Sequence, residues 1–137
     1  MAEKNAKIFL KSIQRLDGDE DTIEIIAECG FYKNEEKYYI FYREVYDNGA
    51  TDCSIKYENK KVTIKRKGDT NANFVCDPDE DTAFIYTTAY GHFSVTVRTK
   101  EIEADLSENG GTLRLLYDLK INGVSQENEV NIKIVKA

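Results

Sequence analysis

The amino-acid sequence predicts an all-β protein, a single closed antiparallel up-and-down β-barrel of about eight to ten strands. Three observations lead to this fold class. Apolar side chains recur with a period of two along most of the chain, which is the period of a half-buried strand. Hairpin signals separate these runs at short intervals. A period of 3.6 residues, which would indicate a helix, is nowhere convincing.

The clearest alternation lies in residues 82–121, around which the rest of the chain is organised. Two long apolar series flank a turn that contains Gly110 and Gly111. Paired glycines supply the positive φ that a tight reversal needs, so we expect two antiparallel strands, each with one apolar face. The first apolar face is expected to run through Phe93, Val95, Val97, Thr99, Ile102, Ala104 and Leu106, and the second through Leu113, Leu115, Tyr117, Leu119 and Ile121.

The first half of the chain is predicted to form five strands joined by short turns. An acidic turn over residues 17–21 follows the first strand, and Asn48-Gly49 is a strong hairpin signal after the third. Gly30 is expected to mark a bulge or a bend, because a glycine has no side chain to pack. The strands cover residues 7–16, 22–33 and 37–46, then a strand with Cys53, Ile55 and Tyr57 in phase, and one with Val62, Ile64 and Arg66 in phase.

The second half begins with a loop and a short strand and continues with long strands. Asn122-Gly123 is a type I′ turn signal that closes the last hairpin. The final strand carries Val130, Ile132 and Ile134 in one phase. Before these come a loop over residues 68–73, a short strand over 73–77, an acidic turn over 77–81, and strands over 82–90, 92–106 and 113–121.

The short connections favour an up-and-down meander over a Greek key. A meander leaves two unpaired edges unless it closes, and closure into a barrel removes them. A closed barrel of eight strands has an interior just wide enough for packed side chains or for one small ligand. The sequence therefore raises the question of whether this interior is filled or empty.

The composition indicates one domain over residues 1–137, because 41% hydrophobic residues suffice for one core. The formal net charge of −6 makes nucleic acid and anionic membrane surfaces poor partners. We find no apolar run that could span a bilayer and expect no signal peptide. Cys29, Cys53 and Cys76 are odd in number and far apart, so free thiols in a reducing cytoplasm are expected.

The order and spacing of several short segments resemble the YwiB-like family of small uncharacterised bacterial proteins. That family has a calycin-like (lipocalin-like) β-barrel, so the resemblance implies this fold and a bacterial cytoplasm. It implies no activity. The segments that carry the resemblance are Gly30-Phe31-Tyr32, residues 37–44, Arg66, Gly68, Phe74, Tyr86, Gly91, residues 99–102, Asp105-Leu106, Gly110-Gly111 and residues 115–119.

Two charged residues occupy apolar strand phases, and they are the first candidates for a binding site. Glu44 follows Ile40 and Tyr42 at steps of two, and Arg66 follows Ile64. If these phases face inward, both charges must be paired or must contact a polar ligand. The alternative is that both lie near strand ends and reach solvent at the mouth of the barrel.

Tyrosines on apolar phases are the second group of candidates, since a tyrosine has an apolar body and a polar tip. They suit either a pocket wall or an ordinary core. Together with the two charged residues, the candidate ligand-binding set is Tyr42, Glu44, Tyr57, Arg66, Tyr86 and Tyr117, and Tyr38 and Tyr90 also fall on apolar phases.

The sequence contains no recognisable catalytic or metal-binding motif. His92 is the only histidine and is expected to face outward, and the acidic turn at residues 17–21 does not have the spacing of a calcium loop. No dinucleotide fingerprint or phosphate loop is present, so no cofactor is predicted. The cysteines on apolar phases are expected to be small buried hydrophobes.

Three functions remain open, in descending order of preference. The first is non-enzymatic binding of a small, partly apolar ligand inside the barrel. The second is a filled barrel that acts as a protein-interaction or assembly module, for example as a homodimer, through outward aromatic residues such as Tyr39 and Phe41. The third is an enzyme of unknown type. An empty interior of a few hundred cubic ångströms would favour the first.

Overall fold

The computed structural model describes residues 4–47, 49–68 and 71–137, and the secondary structure in these ranges is ten β-strands. Within the described residues, no helix has the length and apolarity needed to cross a membrane. The predicted all-β fold class is confirmed. The strands are β1 (Ala6–Leu16), β2 (Asp19–Asn34), β3 (Lys37–Tyr46), β4 (Gly49–Glu58), β5 (Lys61–Gly68), β6 (Ala72–Cys76), β7 (Thr82–Thr88), β8 (Gly91–Ser107), β9 (Gly110–Ile121) and β10 (Val124–Lys136).

The ten strands form one antiparallel meander in the order β6-β5-β4-β3-β2-β1-β10-β9-β8-β7. The first and last strands of the chain lie side by side in its middle, with Ile8 opposite Ile134. The two ends of the order, β6 and β7, approach each other through a bridge in which Asn71 and Thr87 exchange two hydrogen bonds of 3.1 Å. The barrel is therefore nearly closed, and the predicted up-and-down connectivity is confirmed.

The strand β2 changes partners at Gly30, where the sequence predicted a bulge or a bend. Its first part pairs with β1 as far as Cys29, and its last part pairs with β3 from Gly30 onward. No register shift occurs at Gly30 itself. As a result, the first part of β2 and the second part of β3, beyond Phe41, are not hydrogen-bonded to each other in the described chain.

Two of the turns, which join β8 to β9 and β9 to β10, carry the residue types that their geometry requires. Asn122 and Gly123 have φ values of 52° and 81°, as a type I′ turn requires. At Gly111, with φ of 136°, a Cβ atom would lie 2.0 Å from the carbonyl oxygen of Asp105, so only glycine fits between β8 and β9. The predicted signal at Asn48 and the middle of the loop over residues 68–73 lie outside the described residues.

The apolar face of β8 does not run in one phase, contrary to our expectation. The register between β8 and β9 shifts between Thr99 and Glu101, so a β-bulge moves the inward positions from Val97 and Thr99 to Ile102 and Leu106. A second difference is that β7 ends at Thr88. Tyr90 then falls in the following turn and is 94% exposed rather than on an apolar face.

The two ends of the barrel differ. At one end, called the closed end, the chain passes from β2 to β3, β4 to β5, β6 to β7 and β8 to β9. Phe31, Ile40 and Val62 are almost fully buried there, and the hydroxyl of Tyr38 donates a 3.1 Å hydrogen bond to the carbonyl oxygen of Leu106. At the opposite end, called the open end, β1 joins β2, β3 joins β4, β5 joins β6, β7 joins β8 and β9 joins β10.

The outer surface of β1, β8, β9 and β10 is covered by ion pairs. Arg15 contacts Glu127 at 2.8 Å and Glu129 at 2.9 Å, and Arg114 contacts Glu101 at 2.7 Å. These groups are partly exposed, so each pair contributes little to stability. They give the part of the outer face around them a polar, solvated character.

Candidate functional site

Glu44 and Arg66 both project from the inner face of the barrel near the open end. Tyr42 on β3 lies opposite Cys53 on β4, and Cys53 lies opposite Arg66 on β5. Residues in register on neighbouring strands point to the same side of a sheet, so this whole row faces inward. Glu44 lies one inward position further along β3, opposite Thr51. Its carboxylate and the guanidinium of Arg66 therefore meet above β4.

The two side chains form a direct, two-pronged ion pair. Nη1 of Arg66 donates to Oε1 of Glu44 at 3.2 Å, and Nη2 donates to Oε2. The side chains retain 28% and 14% exposure, respectively. Burial, the largest single influence, lowers the pKa of Arg66, but the hydrogen bonds that Arg66 donates to Glu44 and the electrostatic effects of Cys53, Glu44 and Tyr42 together outweigh it, and the pKa is raised. The structure thus brings the two charges together and leaves neither uncompensated.

A cavity of about 970 Å³ occupies the barrel interior beside this pair. The sequence left open whether the interior is filled, and this volume lies in the upper range of small-molecule sites. Its wall is mainly apolar and aromatic: Leu10, Ile55, Ile64, Phe74, Phe84, Tyr86, Leu115, Leu119 and Val130 line it together with Tyr42, Glu44, Arg66 and Tyr117.

Five of the six candidate site residues line the cavity, and Tyr57 does not. Tyr57 lies in the row of Tyr38 and Val62, two inward rows closer to the closed end than Arg66. Its ring packs against Tyr38 with centroids 6.4 Å apart. The sequence correctly placed Tyr57 on an inward phase, but the phase of a residue does not give its position along the barrel axis. The assignment of Tyr57 to the wall of the cavity is therefore corrected.

Two of the remaining tyrosines have strongly shielded hydroxyl groups. Tyr117 is only 6% exposed and Tyr42 only 8%. Burial raises the pKa of both, and for Tyr42 the neighbouring Cys53 and Glu44 add to the effect. Both phenols are therefore neutral hydrogen-bonding groups on the cavity wall.

A cluster of amide side chains on β1 and β10 forms the polar part of the wall opposite the ion pair. Nε2 of Gln126 donates to Oε1 of Gln14 at 3.2 Å, and Nδ2 of Asn128 donates to the carbonyl oxygen of Gln126 at 3.2 Å. Asn128 is only 3% exposed. Our sequence interpretation missed these residues. The available signal was a polar residue at position 128 in the same phase as Val130, Ile132 and Ile134.

The cavity reaches the surface between β2 and β3. Its lining includes Glu24 and Ile26 of β2 and Arg43 and Val45 of β3, all on outward phases. These residues can line an interior space only because the two strands separate beyond Gly30. The gap between the strands is thus a lateral opening next to the open end.

The remaining candidates for chemistry lie away from the cavity or are shielded. Cys29, Cys53 and Cys76 are buried and free. Burial raises the pKa of the Cys29 thiol to about 11 and that of Cys76 to about 12, so both are protonated at neutral pH. His92 is exposed, and its Nδ1 lies 3.0 Å from the hydroxyl of Thr87. Among the described residues, no cluster of three metal-ligating side chains is found.

Comparison with known proteins gives a consistent result. The model of a family described as "Domain of unknown function (DUF1934)" matches residues 8–134. The uncharacterized beta-barrel protein YwiB of Bacillus subtilis (strain 168) is 28% identical over 127 residues, which cover 93% of this chain and 89% of YwiB. The crystal structure of the ywiB protein from Bacillus subtilis matches with a TM-score of 0.87 at 23% identity and covers 98% of this chain and 92% of that one.

Proposed function

Because the chain belongs to the DUF1934 family, whose function is unknown, its role has to be argued from its own cavity, and we propose that it binds a small, partly apolar ligand there without catalysis. The resemblance to the YwiB-like family is confirmed by the same match. In this proposal the barrel serves as a lipocalin-like (calycin-like) container. The ligand enters from the open end or through the opening between β2 and β3.

The cavity volume of about 970 Å³ is the observation that carries the proposal. Contact between water and the apolar walls of a cavity of this size is unfavourable. The release of that water into bulk solvent therefore favours the binding of an apolar ligand. The pair of Glu44 and Arg66 and the amides of β10 supply a few polar groups at one end, as small-molecule sites usually have. A filled interior would instead favour the assembly hypothesis.

A single-tryptophan reporter tests the proposal directly, because the chain contains no tryptophan. Phe84 lines the cavity and stacks on Phe74 with centroids 4.8 Å apart, so Phe84→Trp places an indole on its wall. We expect N-phenyl-1-naphthylamine, an uncharged apolar fluorophore, to quench this tryptophan saturably with a one-to-one stoichiometry.

The matched control is Tyr39→Trp, which places the indole on the outer face, where Tyr39 stacks on Phe41. Its emission should be unaffected by the same probe. Equal quenching in both variants, or no saturable quenching of Phe84→Trp, would overturn the proposal. Native mass spectrometry of the wild-type protein, purified without denaturant, would in addition reveal a ligand retained from the cell.

A role in protein assembly is the second candidate, and the outer aromatic residues favour it. Tyr39 and Phe41 stack with nearly parallel rings 6.3 Å apart, Phe41 is 39% exposed, and Nζ of Lys56 lies 5.9 Å from the Tyr39 ring. A homodimer formed through this face would show twice the monomer mass by light scattering. The double variant Tyr39→Ser/Phe41→Ser should then be monomeric.

The cellular location that we propose is the bacterial cytoplasm. The three cysteines are free and buried, which fits a reducing compartment. The net charge of −6 disfavours nucleic acid and anionic membranes as partners. An enzymatic role is the least supported of the three, because Glu44, the acid on an inward phase that lines the cavity, is held in an ion pair. Fractionation of the native host tests the location.

A further inference from the structure

The charges that border the cavity are already balanced. Four of its described lining residues are ionic at neutral pH: Glu24, Arg43, Glu44 and Arg66. Glu24 and Arg43 lie on outward phases at the lateral opening, and Arg43 is paired with Asp52 at 2.8 Å. The two inward charges neutralise each other through two hydrogen bonds. The interior therefore presents no net charge to a ligand.

The amide of Asn128 is a deeply buried polar side chain on the wall, and its oxygen is left without a donor by the described residues. Its Nδ2 is used by the carbonyl oxygen of Gln126, whereas its Oδ1 accepts no hydrogen bond from any side chain or backbone group in residues 4–47, 49–68 and 71–137. The side chain is 97% buried and lines the cavity. This oxygen opens on the cavity and can accept a hydrogen bond only from water or from a ligand, so it favours a ligand that supplies an N–H or O–H group.

Flat apolar surfaces lie next to this acceptor. Tyr117 is in register with Asn128 on the neighbouring strand. The ring of Phe74 is 5.9 Å from that of Tyr117 and stacks on Phe84 at 4.8 Å. Together these three rings provide an aromatic part of the cavity wall against which another flat ring could pack.

We propose that the ligand class of this cavity is an uncharged, flat amphiphile whose apolar ring system lies against Phe74, Phe84 and Tyr117 and whose N–H or O–H group donates to Oδ1 of Asn128. This inference rests on the proposed function and narrows it. Inside the barrel an anion or a cation would meet no free counter-charge, because Glu44 and Arg66 pair with each other and Glu24 lies at the lateral opening, so burial of the added charge would carry a large desolvation cost. An anion is disfavoured further by the net charge of −6.

The test uses three ligands that share a naphthalene ring and differ in their polar group. 2-Naphthamide is uncharged and donates through its N–H groups, 2-naphthoate is anionic, and 2-naphthylmethylammonium is cationic at pH 7. Binding to the wild-type protein is measured by isothermal titration calorimetry. We expect the amide to bind at least about tenfold more tightly than either charged ligand, since each charge would be buried without a partner.

The Asn128→Leu variant, which keeps the volume but removes the acceptor, tests the assigned contact. It should weaken the binding of 2-naphthamide by about tenfold, as expected for a buried hydrogen bond, and leave the binding of 2-methylnaphthalene nearly unchanged. The matched control is Asn131→Leu on the same strand, because Asn131 lies on the outer face, where it donates to Glu129 at 3.0 Å. Circular dichroism establishes that both variants fold.

The outcomes separate this inference from the proposed function. Binding of a charged ligand as tight as that of the amide overturns the inference and leaves the proposed function standing. Equal losses of amide and methylnaphthalene binding in Asn128→Leu would also overturn it, because the effect would then be one of packing. If none of the naphthalene ligands binds, both the inference and the proposed function are wrong.

Discussion

At the scale of single residues, the inner face carries two charges because each is the partner of the other. Glu44 and Arg66 stand on phases otherwise used by Ile40, Tyr42 and Ile64, and a lone charge there would be unstable. Two hydrogen bonds across β4 satisfy both groups, with 14% and 28% of the side chains left exposed. Because the two charges are paired, a polar group can be accommodated on the otherwise apolar inner face.

The first residue-scale prediction concerns this pair. Arg66→Met alone should destabilise the protein by about 2–3 kcal/mol, less than a fully buried pair because Arg66 retains 28% exposure. The double variant Glu44→Gln/Arg66→Met should lie within about 1 kcal/mol of the wild type, since no unpaired charge remains. Urea denaturation monitored by circular dichroism measures both.

The control for this prediction is Arg43→Met, the neighbouring pair on the outer face. Arg43 and Asp52 are 59% and 63% exposed, so the loss of stability should be much smaller than that of Arg66→Met. If Glu44→Gln/Arg66→Met is less stable than Arg66→Met alone, the cost of an unpaired Glu44 charge does not explain the loss of stability.

At the scale of elements, the strand β8 illustrates how a local irregularity serves the barrel. Its apolar residues occupy odd positions up to Thr99 and even positions from Ile102, and the bulge between Thr99 and Glu101 restores the inward direction. Without the extra residue, Ile102 and Leu106 would face water. The bulge also increases the local twist, which a strongly curved sheet requires.

The prediction at this scale tests the inward phase of β8 and β9. Leu115 is fully buried and lines the cavity, so Leu115→Ala should lower the free energy of unfolding by about 2–5 kcal/mol. Arg98→Ala should lower the free energy of unfolding far less than Leu115→Ala, because Arg98 is on the outer face and is 70% exposed in its pair with Asp81. Denaturation curves that rank the two variants in the opposite order contradict the assigned phases.

At the scale of the whole molecule, the barrel combines a packed end and a hollow end. Phe31, Ile40 and Val62 fill the closed end, whereas the open end carries the amides and the ion pair around the cavity. The separation of β2 from β3 beyond Gly30 adds a lateral opening. Stability therefore resides mainly at one end, and the hollow end is free to serve binding.

The packed end makes the protein sensitive to alkali. The thiols of Cys29 and Cys76 keep their protons up to a pKa of about 11 and about 12 in the native state, against 9.0 when unfolded. Between pH 9 and 11 the unfolded chain therefore binds fewer protons than the native one, and stability falls as the pH rises. Below pH 9 this contribution to stability is fully present. Each thiol contributes a slope of about 1.4 kcal/mol per pH unit.

Urea denaturation at pH 8, 9 and 10 measures this dependence, and a comparison of Cys76→Ala with the wild type at each pH cancels the contribution of the buried tyrosines, whose ordinary pKa is 10.0. The free energy of unfolding should fall less steeply with pH in Cys76→Ala than in the wild type, whatever the absolute stability of the variant. A slope that the substitution leaves unchanged would show that this thiol is not responsible.

The sequence by itself determined the strands, most of the turns and the meander. Alternation with a period of two and the backbone conformations of Asn122 and Gly123 are local properties, so they can be recognised without knowing the partner strand. It also placed Glu44 and Arg66 on inward phases, because phase is local too. It failed at the bulge before Glu101, since one extra residue changes the phase without changing the composition.

Only the tertiary structure decided what the inner face does. Whether an interior is empty depends on how strands curve and separate, and no single segment encodes this. The amide cluster on the cavity wall joins residues more than a hundred positions apart, as the 3.2 Å hydrogen bond between Gln14 and Gln126 shows. The height of Tyr57 along the barrel likewise follows from strand register. These features arise from packing between distant segments, which is why the fold was predictable and the cavity was not.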